Sequence, residues 1–241
     1  DIRNDLLGLI NKIQNEAKDN AEEQASLILV TTMERMASEV TAERTVTAVK
    51  LEDEEMKGRI IGKEGRNIQA LQRATGVDIL VDETPGMIVL SSFDPVRREV
   101  ARQTMEMLLK DGRVHPGRIE EIVEKTKEDI EKIMFQAGEQ LAHEVGVYNL
   151  PRELIEYLGR FKYRYSYGQN MITHTLEETK IGIAIANEVG ADVNVVRLGC
   201  LLHDIGKVIE SEEGSHVTLG AEYLAKMGVP EKVVACVEEH H

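Results

Sequence analysis

The sequence predicts an α+β chain in three parts: a helical lead, a small mixed unit and a helical remainder. Three observations predict it. Runs rich in Thr and Val that read as strands cluster between residues 44 and 91. Outside that stretch apolar residues recur every three or four positions, the helical period. From 151 onward Gly159, Gly168, Gly190, Gly214 and Gly228 punctuate the helical runs.

Residues 5–43 carry Ala25, Ile28 or Leu29, Met33, Met36 and Val40 at helical spacing, with no Pro. A polar stretch from Asn15 to Glu23 breaks the apolar stripe. This fits the end of a long helix or coiled coil, and equally an ordinary surface helix of the next domain. Residues 44–113 form the mixed unit. Arg44 to Leu51 reads as a strand, and Glu55 to Ile61 as a short helix broken at Gly62-Lys63-Glu64-Gly65. A second helix runs from Arg66 to Thr75 and stops at Gly76. Val77–Val81 and Met87–Ser91 are strands joined by the turn Asp82-Glu83-Thr84-Pro85-Gly86. A helix then starts near Pro95, a good first-turn residue, and reaches Lys110. The order is strand, helix, helix, strand, strand, helix. Residues 114–241 form the third part. It opens with the turn His115-Pro116-Gly117 and a charged helix whose buried stripe is Ile119, Ile122, Val123, Ile130, Ile133, Met134 and Leu141. From 151 onward it reads as helical throughout, with Ser215-His216 opening one helix that ends at Gly228-Val229-Pro230.

A chain of 241 residues with 42% hydrophobic content can build real cores in one large or two modest domains. No run approaches the 18 or so apolar residues of a membrane span, and no signal-peptide pattern opens the chain. The first residue is Asp1, so the expectation is a piece of a longer protein. Cys200 and Cys236, the two cysteines, sit in apolar helical contexts, which suits a reducing compartment and not a disulfide framework. The net charge of −14 speaks against nucleic acid until it is divided. Residues 1–43 carry 4 bases and 9 acids (−5), residues 44–113 carry 12 and 12 (0), and residues 114–241 carry 13 and 22 (−9). Between 57 and 73, Lys57, Arg59, Lys63, Arg66 and Arg73 face only Glu64, and such a basic stretch can hold phosphate.

The chemistry concentrates near the end. His174, His203, His216, His240 and His241 are five of the seven histidines, and Asp204 follows His203 directly. The run from Leu198 to Lys207 reads as an apolar helix ending in an imidazole, a carboxylate and a lysine. Neighbouring His and Asp at a helix end can approach one cation from different angles, with His174 as a third ligand. Mixed imidazole and carboxylate donors suit Mn, Fe, Zn or Ni better than calcium. A lone His on an apolar helix is more often a satisfied core residue. The surrounding Leu-Leu-His-Asp-Ile-Gly-Lys and His174 favour a site. His143 reads as helix surface and His115 as a helix-entry residue. Arg160 to Gly168 interleaves three tyrosines with three bases, a possible substrate-guiding surface or plain Tyr packing.

Gly58-Arg59-Ile60-Ile61-Gly62-Lys63-Glu64-Gly65-Arg66-Asn67-Ile68 resembles the core of a type I KH domain, in which a Gly-x-x-Gly loop clamps about four single-stranded nucleotides. The resemblance implies RNA binding by Arg59, Gly62, Lys63, Glu64, Gly65 and Arg66, with Ile60, Ile61, Ile68 and Leu71 as an apolar wall beneath the bases. A P-loop does not fit: Gly58 to Gly62 leaves three residues between the glycines rather than four, and Glu64 stands where Ser or Thr would hold magnesium. His203-Asp204 with His174 resembles the HD superfamily of metal-dependent phosphohydrolases. These two units, together with Phe93-Asp94-Pro95-Val96-Arg97-Arg98-Glu99-Val100-Ala101-Arg102 and Tyr167-Gly168-Gln169-Asn170, resemble the bacterial ribonuclease Y family over nearly the whole chain.

That resemblance implies the end of a coiled coil over 1–43, a KH domain over 44–113 and a C-terminally incomplete, all-α HD domain over 114–241. It implies an endoribonuclease that starts mRNA decay, using a divalent metal (Mn, Mg or Zn) to activate water against the phosphodiester and leaving 5′-phosphate and 3′-hydroxyl ends. The metal ligands would be His174, His203 and Asp204, with His216, His240 and His241 as further candidates and another aspartate beyond residue 241. Lys207 would steady a phosphate oxygen. Single-stranded RNA, a second copy of the chain and RNA-degradation partners are the implied partners. The implied location is cytoplasmic, at the inner face of the membrane through an N-terminal anchor outside this chain. Two other readings stay open: an HD nucleotide phosphohydrolase, and a non-catalytic RNA-binding scaffold. The lack of Gly-Tyr-Pro after His203-Asp204 counts against the cyclic-di-GMP type.

Overall fold

A computed structural model describes residues 45–51, 54–81, 86–166, 168–209 and 214–240. The helix expected over 5–43, most of the turn at 82–86, Tyr167 and His241 lie outside them. The first strand, β1 (Val46–Lys50), is followed by α1 (Glu54–Ile61) and α2 (Arg66–Thr75). Two more strands, β2 (Asp78–Leu80) and β3 (Met87–Ser91), precede α3 (Pro95–Asp111). The sheet is antiparallel with β3 in the middle, Val49 opposite Ile88 and Ile79 opposite Leu90. Alternation sends those four side chains to one face, where they meet Ile60, Leu71, Val100 and Met105 from the three helices. The α3 start follows from its sequence: Asp94 accepts hydrogen bonds from the Val96 and Arg97 amides, and Pro95 needs no donor there.

His115 caps the next helix, α4 (Pro116–Glu144), accepting from the Arg118 amide at 3.2 Å. At about 1.5 Å per residue this 29-residue helix is about 43 Å long. Ile119 to Met134 pack into the core of the mixed unit, whereas Leu141 and Ala142 belong to a second, helical core. One stiff rod therefore joins both cores. The second core gathers residues of α5 (Arg152–Arg160), α6 (Met171–Val189), α7 (Val193–Leu202), α8 (His216–Lys226) and α9 (Glu231–Glu238).

The expectation of helix throughout 151–241 is wrong at one place. Between α5 and α6 lies a short antiparallel hairpin, β4 (Tyr165–Ser166) and β5 (Gln169–Asn170). Gly168, at φ +81°, takes the left-handed conformation its turn requires. Asn170 then caps α6, accepting from the Ile172 amide at 3.0 Å and donating to the Lys162 carbonyl at 2.9 Å. The preceding aromatics do not form a free stacking platform. Phe161 is fully buried, and Tyr163 packs against the core of the mixed unit. Tyr165 alone of the described tyrosines in that run is exposed. No helix among the described residues is long and apolar enough to cross a membrane.

Candidate functional site

Leu201, Leu202 and Ile205 are fully buried and pin the end of α7 into the helical core. Between them His203 and Asp204 have nowhere to go except the wall of a cleft. The chain then tightens into a 3-10 turn (Ile205–Val208), which returns Lys207 to the Asp204 carboxylate, Nζ to Oδ2 at 2.7 Å. His174 comes from the first turn of α6, His216 opens α8, and His240 follows α9. Their Nε2 atoms divide between the two carboxylate oxygens. His203 and His174 lie 3.3 and 3.6 Å from Oδ2, and His240 and His216 lie 3.7 and 3.9 Å from Oδ1. Asp204, 1% exposed, is the hub.

Close backbone packing makes this convergence possible. A Cβ at Gly206 would run into the His216 carbonyl oxygen and stand 2.8 Å from the Gly220 nitrogen. Only glycine lets the 3-10 turn sit against the start of α8. Ser215 fixes that start by accepting from the Thr218 amide at 3.2 Å.

The orientation of the rings is set from behind. His203 Nδ1 lies 2.7 Å from the Cys200 carbonyl, and His240 Nδ1 lies 2.6 Å from the Val237 carbonyl. A carbonyl only accepts, so each Nδ1 carries hydrogen, and in the neutral ring the Nε2 lone pair faces the cluster. Two triplets, His174/His203/Asp204 and Asp204/His216/His240, each bring three donor atoms within 4.8 Å of one another. Asp204 Oδ1 is buried with no hydrogen bond among the described residues. An orphaned carboxylate oxygen facing imidazole lone pairs costs free energy unless a cation completes it. These residues fit a divalent ion.

Charge is distributed to match. Burial opposes ionisation of Asp204, yet the hydrogen bond and charge of His203, with Lys207 beside them, hold its carboxyl well below the usual carboxylate range. Burial also opposes the His203 imidazolium, but Asp204 and the Cys200 carbonyl outweigh it and raise the His203 pKa. Ser166, Gln169, Glu178, Cys200 and Cys236 join the cluster around a cleft of about 480 Å³. Sequence reasoning did not single out these five for the site. The signals present were that Ser166 lies in the run of tyrosines and bases and Gln169 in the Tyr167-Gly168-Gln169-Asn170 phrase.

The basic loop is a separate feature. Gly62 (φ +71°) leaves α1, and Lys63–Gly65 form a tight turn in which Glu64 (φ +56°) and Gly65 (φ +74°) are left-handed. A non-glycine there is uncommon and marks a shaped loop. A Cβ on Gly62 would lie 2.6 Å from the Asn67 side chain, which donates to the Arg59 carbonyl at 2.9 Å and the Val114 carbonyl at 3.0 Å. Asn67 thus ties the loop to the start of the long helix, a role not evident in the sequence. Lys63, Glu64 and Arg66 are exposed. Arg59 is engaged by Glu55 in a surface ion pair. The expected apolar wall needs correction: Ile60 and Leu71, each 1% exposed, are core residues, and only Ile61 and Ile68 are partly exposed. A short helix has one inward face, and Ile60 occupies it.

A KH domain family model matches residues 48–106, and an HD domain family model matches residues 171–241. Ribonuclease Y of Rubrobacter xylanophilus is 50% identical over 229 residues, covering 94% of this chain and 45% of that protein. The Thermoanaerobacter pseudethanolicus ribonuclease Y is 46% identical over 242 residues, covering 100% of this chain and 48% of that protein. Over nearly its whole length the chain is similar to ribonuclease Y proteins. Ribonuclease Y of Chloroflexus aurantiacus is 48% identical, over 99% of this chain and 47% of that protein. The chain spans about half the length of the curated relatives it matches. No solved structure matches it. The fold is a KH domain followed by a helical HD domain, as the sequence predicts.

Proposed function

We propose that this chain is the RNA-gripping and hydrolytic part of an endoribonuclease that cuts single-stranded RNA and so starts mRNA decay. The observation that carries the reading is the convergence of four imidazoles and Lys207 on one buried carboxylate, Asp204, open to a cleft. His174, His203 and Asp204 would hold one divalent ion (Mn, Mg or Zn), with His216 and His240 available to a second through the other oxygen of Asp204. Such an ion supplies Lewis acidity and a water of lowered pKa. Lys207 has three hydrogens. One goes to Asp204 Oδ2 and one faces Ser166 Oγ at 3.4 Å, which leaves the third for a non-bridging phosphate oxygen. Its charge also offsets the negative phosphodiester. The bond broken is the one from phosphorus to the 3′ oxygen, giving 5′-phosphate and 3′-hydroxyl ends.

The Gly62–Gly65 loop would grip the strand. Its glycines let the backbone approach phosphate closely, and Lys63 and Arg66 supply exposed positive charge. Glu64 is a counterweight that keeps the grip modest. Asp204→Ala in the intact protein is expected to lower cleavage at least a thousandfold while changing RNA affinity less than about threefold, a loss of the size seen when a transition-state group is removed. Cleavage persisting in that variant would refute the assignment.

A further inference from the structure

We propose that Ser166 and Gln169 clasp the ribose 2′-hydroxyl of the nucleotide at the scissile bond and so select RNA over DNA at the HD site. The proposal rests on the reading of that cleft as a phosphodiester hydrolase.

Ser166 and Gln169 are register partners across the β4–β5 hairpin. Directly opposed residues send their side chains to the same face with Cβ atoms about 5 Å apart. Both line the cleft that contains His174, His203, Asp204 and Lys207. The hydrogen-bonding state of each is set by a partner that can act in only one way. An ammonium only donates, so the Lys207 Nζ contact at 3.4 Å makes Ser166 Oγ an acceptor and leaves its own hydrogen to be given away. A carboxylate only accepts, so the 2.7 Å bond from Gln169 Nε2 to Glu177 Oε2 fixes the amide and leaves Oε1 as an acceptor. The hairpin therefore offers one donor and one acceptor side by side.

A hydroxyl is both acceptor and donor, which is the complement of that pair. The 2′-hydroxyl is the group by which a protein distinguishes RNA from DNA. It also lies on the carbon next to the one that bears the departing 3′ oxygen. Lys207 links the two functions, since the ammonium that would hold the phosphate also contacts Ser166. A deoxyribose would leave the Ser166 hydrogen and Gln169 Oε1 facing no partner, and sites built to bond a hydroxyl discriminate strongly against its absence.

The test compares an oligoribonucleotide with one defined cleavage position and the same oligonucleotide carrying a single 2′-deoxyribose there. Binding through the loop is common to both and cancels in the ratio of kcat/KM. With each net hydrogen bond worth a factor of about five, the intact protein is expected to prefer ribose by about 25-fold. Ser166→Ala and Gln169→Leu are each expected to narrow that preference to about fivefold. If either variant slows both substrates by the same factor, its role is structural and the clasp is refuted. A second readout separates failure of the clasp from failure of the hydrolase reading. In metal-free protein carrying Lys63→Glu and Arg66→Glu, a ribodinucleotide is titrated against its deoxy counterpart. A ribose preference abolished by Ser166→Ala supports the clasp even where no cleavage occurs, and equal affinities overturn it.

Discussion

Replacing Gly206 with Ala adds one methyl group and no charge, yet it strikes the joint that assembles the candidate site. The new Cβ would meet the His216 carbonyl and lie 2.8 Å from the Gly220 nitrogen, where ordinary contact begins near 3.4 Å. Both neighbours are backbone, so no side chain can swing aside. The 3-10 turn and the start of α8 must part by at least 0.6 Å, the difference between those two distances. Overpacking of this kind costs about 1–3 kcal/mol. In a chain of this size each kcal/mol lowers Tm by about 2–4 °C, so a drop of about 2–12 °C is expected. His216 moves with α8, and displacement of a positioned group by about 1 Å can cost about a hundredfold in rate. Thermal melting and cleavage of a short RNA measure the two effects together. An alanine variant with unchanged Tm and unchanged cleavage would refute the close approach and its role in placing His216.

Further outcomes follow from the electrostatics. In metal-free protein, the His203 pKa lies above its ordinary value of about 6.5, so its contribution to stability is full below that pH and is lost as pH rises through the folded-state value. Asp204 works the other way: its depressed pKa contributes stability above about pH 4 that is lost as pH falls further. Denaturant titrations in EDTA should therefore show the advantage of the wild type over Asp204→Asn shrinking as pH rises above about 6.5, and a constant advantage would count against the coupling. At the loop, Lys63→Glu with Arg66→Glu should weaken single-stranded RNA binding and reduce the slope of log affinity against log salt by about one for each phosphate no longer gripped. Equal affinity and slope would leave the loop structural.

Much of this site is legible because its parts are adjacent or capped in sequence. His203 and Asp204 are neighbours between buried leucines and Ile205, so burial of one side chain forces the other to the same wall. Ser215 marks the helix that delivers His216, and His115 the helix that joins both cores. The hairpin at Tyr165–Asn170 is not legible, since two residue pairs are too few for a period-two pattern to stand out. Gly206 looks like ordinary punctuation, because close approach to Gly220 involves a segment folded back from later in the chain. Ile60 and Leu71 show the same limit: an apolar residue near a loop looks alike in sequence whether it faces a ligand or the core.

The proposed function requires Asp204 and its histidines to hold a divalent ion. Diffraction from crystals of the protein soaked in Mn²⁺, recorded where manganese scatters anomalously, addresses it most directly. The expected result is a peak about 2.0–2.3 Å from His174 Nε2, His203 Nε2 and an Asp204 oxygen, distances usual for such ligands. A well-ordered cleft with no anomalous peak among these atoms, at saturating Mn²⁺, would contradict it.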